Sequence, residues 1–275
     1  MLIFFSDLDK TLIYSYKHDI GKEKELVEMY QGREVSYISK KTSDLLKKMM
    51  GTRKIAENNN VLFVPTTTRT IQQYNRITLP IEKQKFALVC NGGILLEEGN
   101  INQVWYKKSL ELIKDSNAEI QKAISILEKD ESVNFEIRYI EDLFVFTKSE
   151  DPQKTLNNLK ESIDQDKVDV FLNGVKVYAV PKKLTKGNAV KRFIDFYKNN
   201  IKQDDIKTDD IKAEDIKTVA AGDSLFDISM LESVDQAFAP FELLAEYPHL
   251  KNIKTNSDNQ LFSEKILESL LEWIP

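Results

Sequence analysis

Apolar and polar positions alternate along this chain in blocks that predict strands followed by helices. Leu2–Phe5, Val61–Val64, Phe86–Cys90 and Thr218–Ala221 are short, nearly continuous apolar runs, the pattern of strands buried on both faces. Residues 42–58 read as a helix whose apolar face is Leu45, Leu46, Met49 and Met50, and a second helical pattern runs through Val190, Phe193 and Ile194. Leu26–Tyr30 and Val35–Ile38 predict a hairpin with Gly32 at its turn, either a flap near the end of the first strand or a plain surface hairpin.

Residues 107–181 break this rhythm. A helix over Leu110–Leu127 is followed by strands at Val133–Tyr139 and Leu143–Thr147. A helix over Pro152–Ile163 is followed by strands at Val168–Leu172 and Val175–Val180, joined at Asn173-Gly174, a strong hairpin signal. The pattern predicts an α/β chain with a Rossmann-like parallel sheet and helices on both faces, built from residues 1–106 and 182–275. Residues 107–181 form an inserted, smaller α+β unit with two similar halves.

Composition narrows the function classes. The chain has 275 residues, 41% of them hydrophobic, enough to bury a core. A net charge of −5 gives no basic footprint, so no nucleic-acid partner is expected. The single cysteine, Cys90, excludes an internal disulfide. No apolar run reaches the length of a membrane span, and Met1 leads straight into the first strand, so a cytoplasmic protein without membrane contact is expected. Residues 204–218 repeat a five-residue unit, Asp-Asp-Ile-Lys-Thr and its variants. That period fits neither helix nor strand and reads as a solvated loop, with a protein-docking loop as the sharper alternative.

Chemistry concentrates where the apolar runs end. Asp7 and Asp9 follow the first run one residue apart, with Thr11 two further on. If the strand continued, both carboxylates would project to one side, and like charges that close need a cation or a proton between them. Aspartates also commonly follow strands simply as turn formers. Thr66-Thr67-Thr68-Arg69 closes the Val61 run, where hydroxyls and backbone N–H groups either hold a phosphate or cap the next helix. Lys186 opens a helical pattern, a position that opposes the helix dipole and is explained by a nearby anion. Gly222-Asp223 ends the Thr218 run, with Asp227 one helical turn later.

Together these four segments resemble the haloacid dehalogenase superfamily of hydrolases, whose pattern is D-x-D-x-T, a Thr or Ser after a strand, a Lys, and G-D-x-x-x-D. The resemblance implies that Asp7 is the nucleophile and Asp9 the general acid/base. It implies that Thr67 binds phosphoryl oxygens and that Lys186 neutralises charge on Asp7 and the phosphate. Magnesium would be held by Asp7, a backbone carbonyl at Asp9, Asp223 and Asp227. Thr67-Thr68-Arg69 is similar to the T-G-R triplet of the Cof-like branch, which adds Thr68 and Arg69 to the phosphate-binding candidates, and Asn91-Gly92-Gly93 is similar to that branch's N-G turn. The insertion resembles a small type-two cap, a lid that selects substrate, as in sucrose-phosphate and phosphomannose-type enzymes. Two positions depart from the branch: Lys10 replaces a common glycine, and Phe226 replaces a common asparagine.

The expected function is a magnesium-dependent phosphatase of a small phosphorylated metabolite, with sugar phosphates among the candidates, working through an aspartyl-phosphate. A sugar phosphomutase and an inactive-scaffold binding protein are the alternatives. Arg138, Tyr139, Lys148, Lys176 and Tyr178 are strand positions that would either face substrate or solvent. The sequence carries no signal for oligomeric state.

Overall fold

A computed structural model describes residues 1–51, 61–201, 216–250, 253–255 and 260–273. Most of the five-residue repeat at 204–218 and the end of the helix expected over 42–58 lie outside the described residues. Two compact units divide the chain: residues 1–92 with 96–100 and 186–275, and residues 93–95 with 101–185.

The first unit is built on a five-stranded sheet in the order Ile253–Lys254, Gln236–Phe238, Lys217–Ala221, Leu2–Ser6, Val61–Pro65, with every neighbouring pair parallel. The apolar runs read as strands because both faces of this sheet are covered. Phe4 stacks on Phe63 at 5.5 Å between ring centroids and lies in register with Val219. Over that face pack the helices Lys40–Gly51 and Phe262–Trp273, through Leu46, Met49, Ile266, Leu267 and Leu270. Phe5, one residue on, points to the opposite face and meets Phe193 of the helix Lys186–Ile201 edge-on at 5.6 Å. Each such buried ring contributes about 1.5–3 kcal/mol.

The expected hairpin is present, as Lys24–Tyr30 against Arg33–Ser39. Gln31 and Gly32 both have positive φ, as a two-residue type I′ turn requires. Its register shifts between Leu26 and Glu28, so Val27 and Glu28 are both buried although they are consecutive. A bulge of this kind re-aims a side chain. The hairpin is pinned to the same unit where the N–H of Thr78 donates to the carbonyl of Val27.

In the second unit, an antiparallel sheet runs in the order Val168–Asn173, Lys176–Pro181, Phe144–Lys148, Arg138–Ile140. The helices Asn117–Leu127 and Pro152–Ser162 cover one face through Ile120, Leu127 and Leu159, against Val145, Val170, Val177 and Ala179. Three expectations are corrected here. The single helix expected over Leu110–Leu127 is two, Gln103–Ile113 and Asn117–Leu127, broken by a 3₁₀ turn at Lys114–Ser116. Val133 makes only an isolated bridge to Ser149, so the strand begins at Arg138. Asn173 pairs with Lys176, so the hairpin loop is Gly174-Val175, with φ of +60° at Gly174, the first loop position of a type II′ turn.

Strand alternation sorts the five strand positions singled out above. Tyr139 lies in the Val170–Ala179–Val145 row and packs with the helix-facing core. Arg138 and Tyr178 share the opposite face with Phe146 and Phe171, whose rings stack on either side of Tyr178 at 5.3 and 5.5 Å. Lys148 and Lys176 stand directly opposite each other on that same face. Among the described residues, no helix is long and apolar enough to cross a membrane.

Candidate active site

All the charged motif residues fall in the first unit: Asp7, Asp9, Arg69, Asp223 and Asp227 follow the carboxyl ends of its parallel strands, where open α/β sheets place ligands, and Lys186 opens the helix Lys186–Ile201. Asp7 extends the first strand's ladder by one bond, its N–H donating to the carbonyl of Ala221 at 2.9 Å, and it is only 6% exposed. The chain then turns instead of continuing as a strand. The N–H groups of Thr11, Leu12 and Ile13 all reach the carbonyl of Leu8, and Lys10 takes a left-handed conformation with φ of 60°. Asp7 and Asp9 therefore do not converge in the way an extended strand would allow. The Asp9 carboxylate is half-exposed and faces Arg69, whose Nε and one terminal nitrogen donate to its two oxygens at 2.7 Å each.

What gathers around Asp7 is the lysine and the later aspartates. Lys186 Nζ donates to Asp7 Oδ1 at 2.7 Å and to Asp227 Oδ1 at 2.5 Å, and the lysine is 1% exposed. Burial works against its charge, but Asp227 and Asp7 outweigh burial and raise its pKa above the ordinary lysine value. The anion that explains a lysine at a helix start is thus a pair of carboxylates. With Asp223 close by, three carboxylates crowd around one ammonium, so the cluster resists full ionisation. Burial, opposed by Lys186 and reinforced by Asp227 and Asp223, pushes the Asp7 carboxyl well up. Burial, with the charge of Asp227, pushes Asp223 up to about 7, against Lys10, Lys186 and the Thr11 hydroxyl. Thr11 Oγ1 donates to Asp223 Oδ1 at 3.3 Å.

Asp227 is fully buried and saturated. Its Oδ2 accepts from the N–H groups of Asp223 and Ser224 and from the Ser224 hydroxyl, at 2.7–3.1 Å, while Lys186 takes Oδ1. Two glycines make room for this. A Cβ on Gly222 would lie 2.3 Å from the Cβ of Asp227, so the glycine is required by close approach. A Cβ on Gly187 would lie 2.2 Å from the carbonyl oxygen of Ser229. Gly187 escaped the sequence reading, and its only signal was its place directly after Lys186.

One oxygen each of Asp7, Asp223 and Asp227 lie within 4.8 Å of one another. Carboxylate oxygens of this kind suit magnesium, and the upward pressure on Asp7 and Asp223 is what a cation would relieve. Because Asp227 already accepts four donors, Asp7 and Asp223 are the side chains best placed to hold the ion.

The threonine segment is buried beside them. The N–H of Thr66 donates to the carbonyl of Ser6 and that of Thr67 to Leu88, which ties the segment between two strands. Thr67 Oγ1 accepts from the N–H of Arg69 at 3.1 Å, and Thr68 is half-buried. The helix cap is Thr70, which forms a capping box with Gln73 ahead of Ile71–Tyr74. Cys90, Asn91 and Gly92 are all left-handed, and Asn91 donates its N–H to the carbonyl of Thr67.

Arg69 is committed on both edges. Besides Asp9 it donates to both oxygens of Glu28 at 2.9 Å, and to the carbonyl of Gln73 at 3.4 Å. Glu28 also receives the Ser36 hydroxyl at 2.8 Å and Arg76 at 3.0 Å. Burial opposes the charge on Glu28, yet Arg69, Ser36 and Arg76 together hold its carboxyl below the usual range. Neither Glu28 nor Arg76 was legible as part of a site.

No family model matches the chain, and no curated protein matches it in sequence. Solved structures do match its fold. The sucrose-phosphatase of Synechocystis sp. PCC6803, in complex with sucrose and phosphate, is similar over 99% of this chain and 97% of its own, at 17% identity and a TM-score of 0.59. The haloacid dehalogenase-like hydrolase yhjK of Bacillus subtilis is similar over 99% and 91%, at 14% identity and a TM-score of 0.55. A haloacid dehalogenase subclass IIB sugar phosphatase is similar over 99% of both chains, at 13% identity and a TM-score of 0.52. The chain has the fold of the haloacid dehalogenase superfamily of hydrolases, and its structural neighbours are phosphatases of that superfamily.

Proposed function

We propose that this protein hydrolyses the phosphate monoester of a small metabolite, a sugar phosphate in the first instance, with magnesium as cofactor. The observation that carries the reading is the buried Asp7 carboxylate at a strand end, gripped by Lys186 and flanked by Asp223. A buried ion cluster with more carboxylates than cations is a poor device for stability and a good one for chemistry. The sugar assignment draws on the structural neighbours, one of which was solved with sucrose and phosphate.

Magnesium, bound through Asp7 and Asp223, would supply positive charge where the transferring phosphoryl group gathers negative charge. The chain's own residues do the rest. An oxygen of Asp7 attacks phosphorus in line, the ester bond breaks, and the phosphoryl group passes to Asp7 as an acyl phosphate. Lys186 fixes the rotamer of Asp7 and offers its charge to the phosphoryl oxygens. Thr67 and Thr68 supply hydroxyls beside them. Asp9 gives a proton to the departing alkoxide, then takes one from the water that attacks the acyl phosphate, which returns free Asp7 and inorganic phosphate.

Release of inorganic phosphate from an aryl phosphate, with magnesium and with excess chelator, tests the reading, and a panel of phosphorylated sugars then identifies the substrate class. Magnesium-dependent release is expected. Full activity in chelator would refute the metal assignment, transfer to a sugar without free phosphate would indicate a mutase, and no turnover of any ester would refute the enzyme reading.

A further inference from the structure

Arg69 holds two carboxylates, one on each of two edges of its guanidinium. Its Nε and one hydrogen of a terminal nitrogen go to Asp9, and the same terminal nitrogen and its twin go to Glu28. With the contact to the carbonyl of Gln73, all five N–H donors of the guanidinium are used, so it cannot turn without breaking bonds. The two edges differ. On the Glu28 edge the carboxylate is fully buried and further fixed by Ser36 and Arg76. On the Asp9 edge the carboxylate is half-exposed, and each oxygen keeps a second lone pair for another partner. The buried edge therefore anchors and the exposed edge is what is placed. Glu28 reaches this position only because of the bulge in the hairpin Lys24–Ser39.

We propose that Glu28 is a positioning residue for Asp9: acting through Arg69, it makes the inserted hairpin the part that sets where the acid/base carboxyl stands. The proposal rests on the assignment of Asp9 as acid/base given above. Misplacement of a reacting group by about 1 Å costs on the order of 100-fold in rate. That loss falls on the step that needs a proton.

The test compares wild-type protein with Glu28→Gln on an alkyl phosphate, whose leaving oxygen needs a proton, and on an activated aryl phosphate, whose leaving oxygen does not. The variant should lose roughly 10- to 100-fold in kcat on the alkyl ester and much less on the aryl ester, with KM and calorimetric magnesium affinity little changed. In an Asp9→Asn background the same substitution should have almost no further effect on the alkyl-to-aryl ratio, because the group it positions is gone. An equal loss on both esters, an unchanged ratio, or full additivity with Asp9→Asn would overturn the proposal. If Glu28→Gln is too unstable to assay, Glu28→Asp keeps the charge but shortens the arm, and the same ratio decides. A wild type inactive on both esters would instead refute the phosphatase reading.

Discussion

The ammonium of Lys186 and the carboxylate of Asp227 stand 2.5 Å apart, both sealed from solvent, and Asp227 is the more thoroughly bonded of the two. Removing one partner from a buried pair strands the other charge, at about 3–5 kcal/mol. Asp227→Asn should therefore lower stability by about 3 kcal/mol, and turnover should fall because Lys186 loses the partner that aims it at Asp7. Chemical denaturation and steady-state kinetics check both. A variant as stable and active as wild type would show that the lysine is held by Asp7 alone.

The proposed mechanism gives Asp7 and Asp9 different work, so their variants should fail differently. Asp7→Asn removes the attacking oxygen, so turnover should vanish and no phosphorylated protein should form. Asp9→Asn keeps the nucleophile and loses proton transfer, worth roughly 10²–10⁴-fold, more on alkyl than on aryl esters. With an activated ester its acyl phosphate should accumulate, and intact mass should rise by one phosphoryl group. Equal labelling of both variants would refute Asp7 as nucleophile.

Stability should depend on pH in the absence of metal. Asp223 holds its proton to about pH 7 in the folded protein, against an ordinary value of 3.8, and Asp7 shifts in the same direction. Between those values the folded state binds more protons than the unfolded chain, so unfolding free energy falls as pH rises, by on the order of a few kcal/mol. Magnesium prefers the ionised carboxylates and should restore stability most above pH 7. Thermal midpoints from pH 5 to 8, with chelator and with magnesium, test this. A chelated protein that becomes steadily more stable over that range would contradict it.

Gly187 and Gly222 have no room for a methyl group, since the clashing atoms are a backbone carbonyl and the Cβ of the saturated Asp227. Alanine at either position should cost about 1–3 kcal/mol and displace Lys186 or the Asp223 loop. Activity should fall further than stability alone explains, a difference visible when turnover is measured well below the melting temperature.

Much of this was readable from residues. The strands at Leu2 and Thr218 were legible because burial on both faces leaves an uninterrupted apolar run, Asp7, Asp223 and Asp227 were legible because they follow where those runs stop, and Lys186 was legible as a cation at the start of a helical pattern. Glu28 was not, since period-2 alternation sends Val27 and Glu28 to opposite faces and only the bulge brings both inward. Arg69 entered the phosphate-binding candidates through the likeness of Thr67-Thr68-Arg69 to a T-G-R triplet, and nothing in the sequence indicates that two carboxylates, one of them 41 residues away, share its guanidinium. The break at Lys114–Ser116 was hidden by apolar residues that keep helical spacing across it.

The strand Leu2–Ser6 lies inside its sheet, next to the edge strand, between partners that arrive at very different times during synthesis. Val61–Pro65 follows within about 60 residues, but Lys217–Ala221 comes about 210 residues later. At 5–20 residues per second the ribosome takes roughly 10–40 s to deliver that second neighbour. Throughout that interval one edge of an apolar strand stands open, the kind of edge that recruits other chains. The second unit draws every strand of its four-stranded sheet from residues 138–181 and can close while the nascent first unit waits. Aspartates 7 and 223 come together only when that last central pairing forms, so on the ribosome the first unit meets its greatest aggregation hazard before any catalytic site exists.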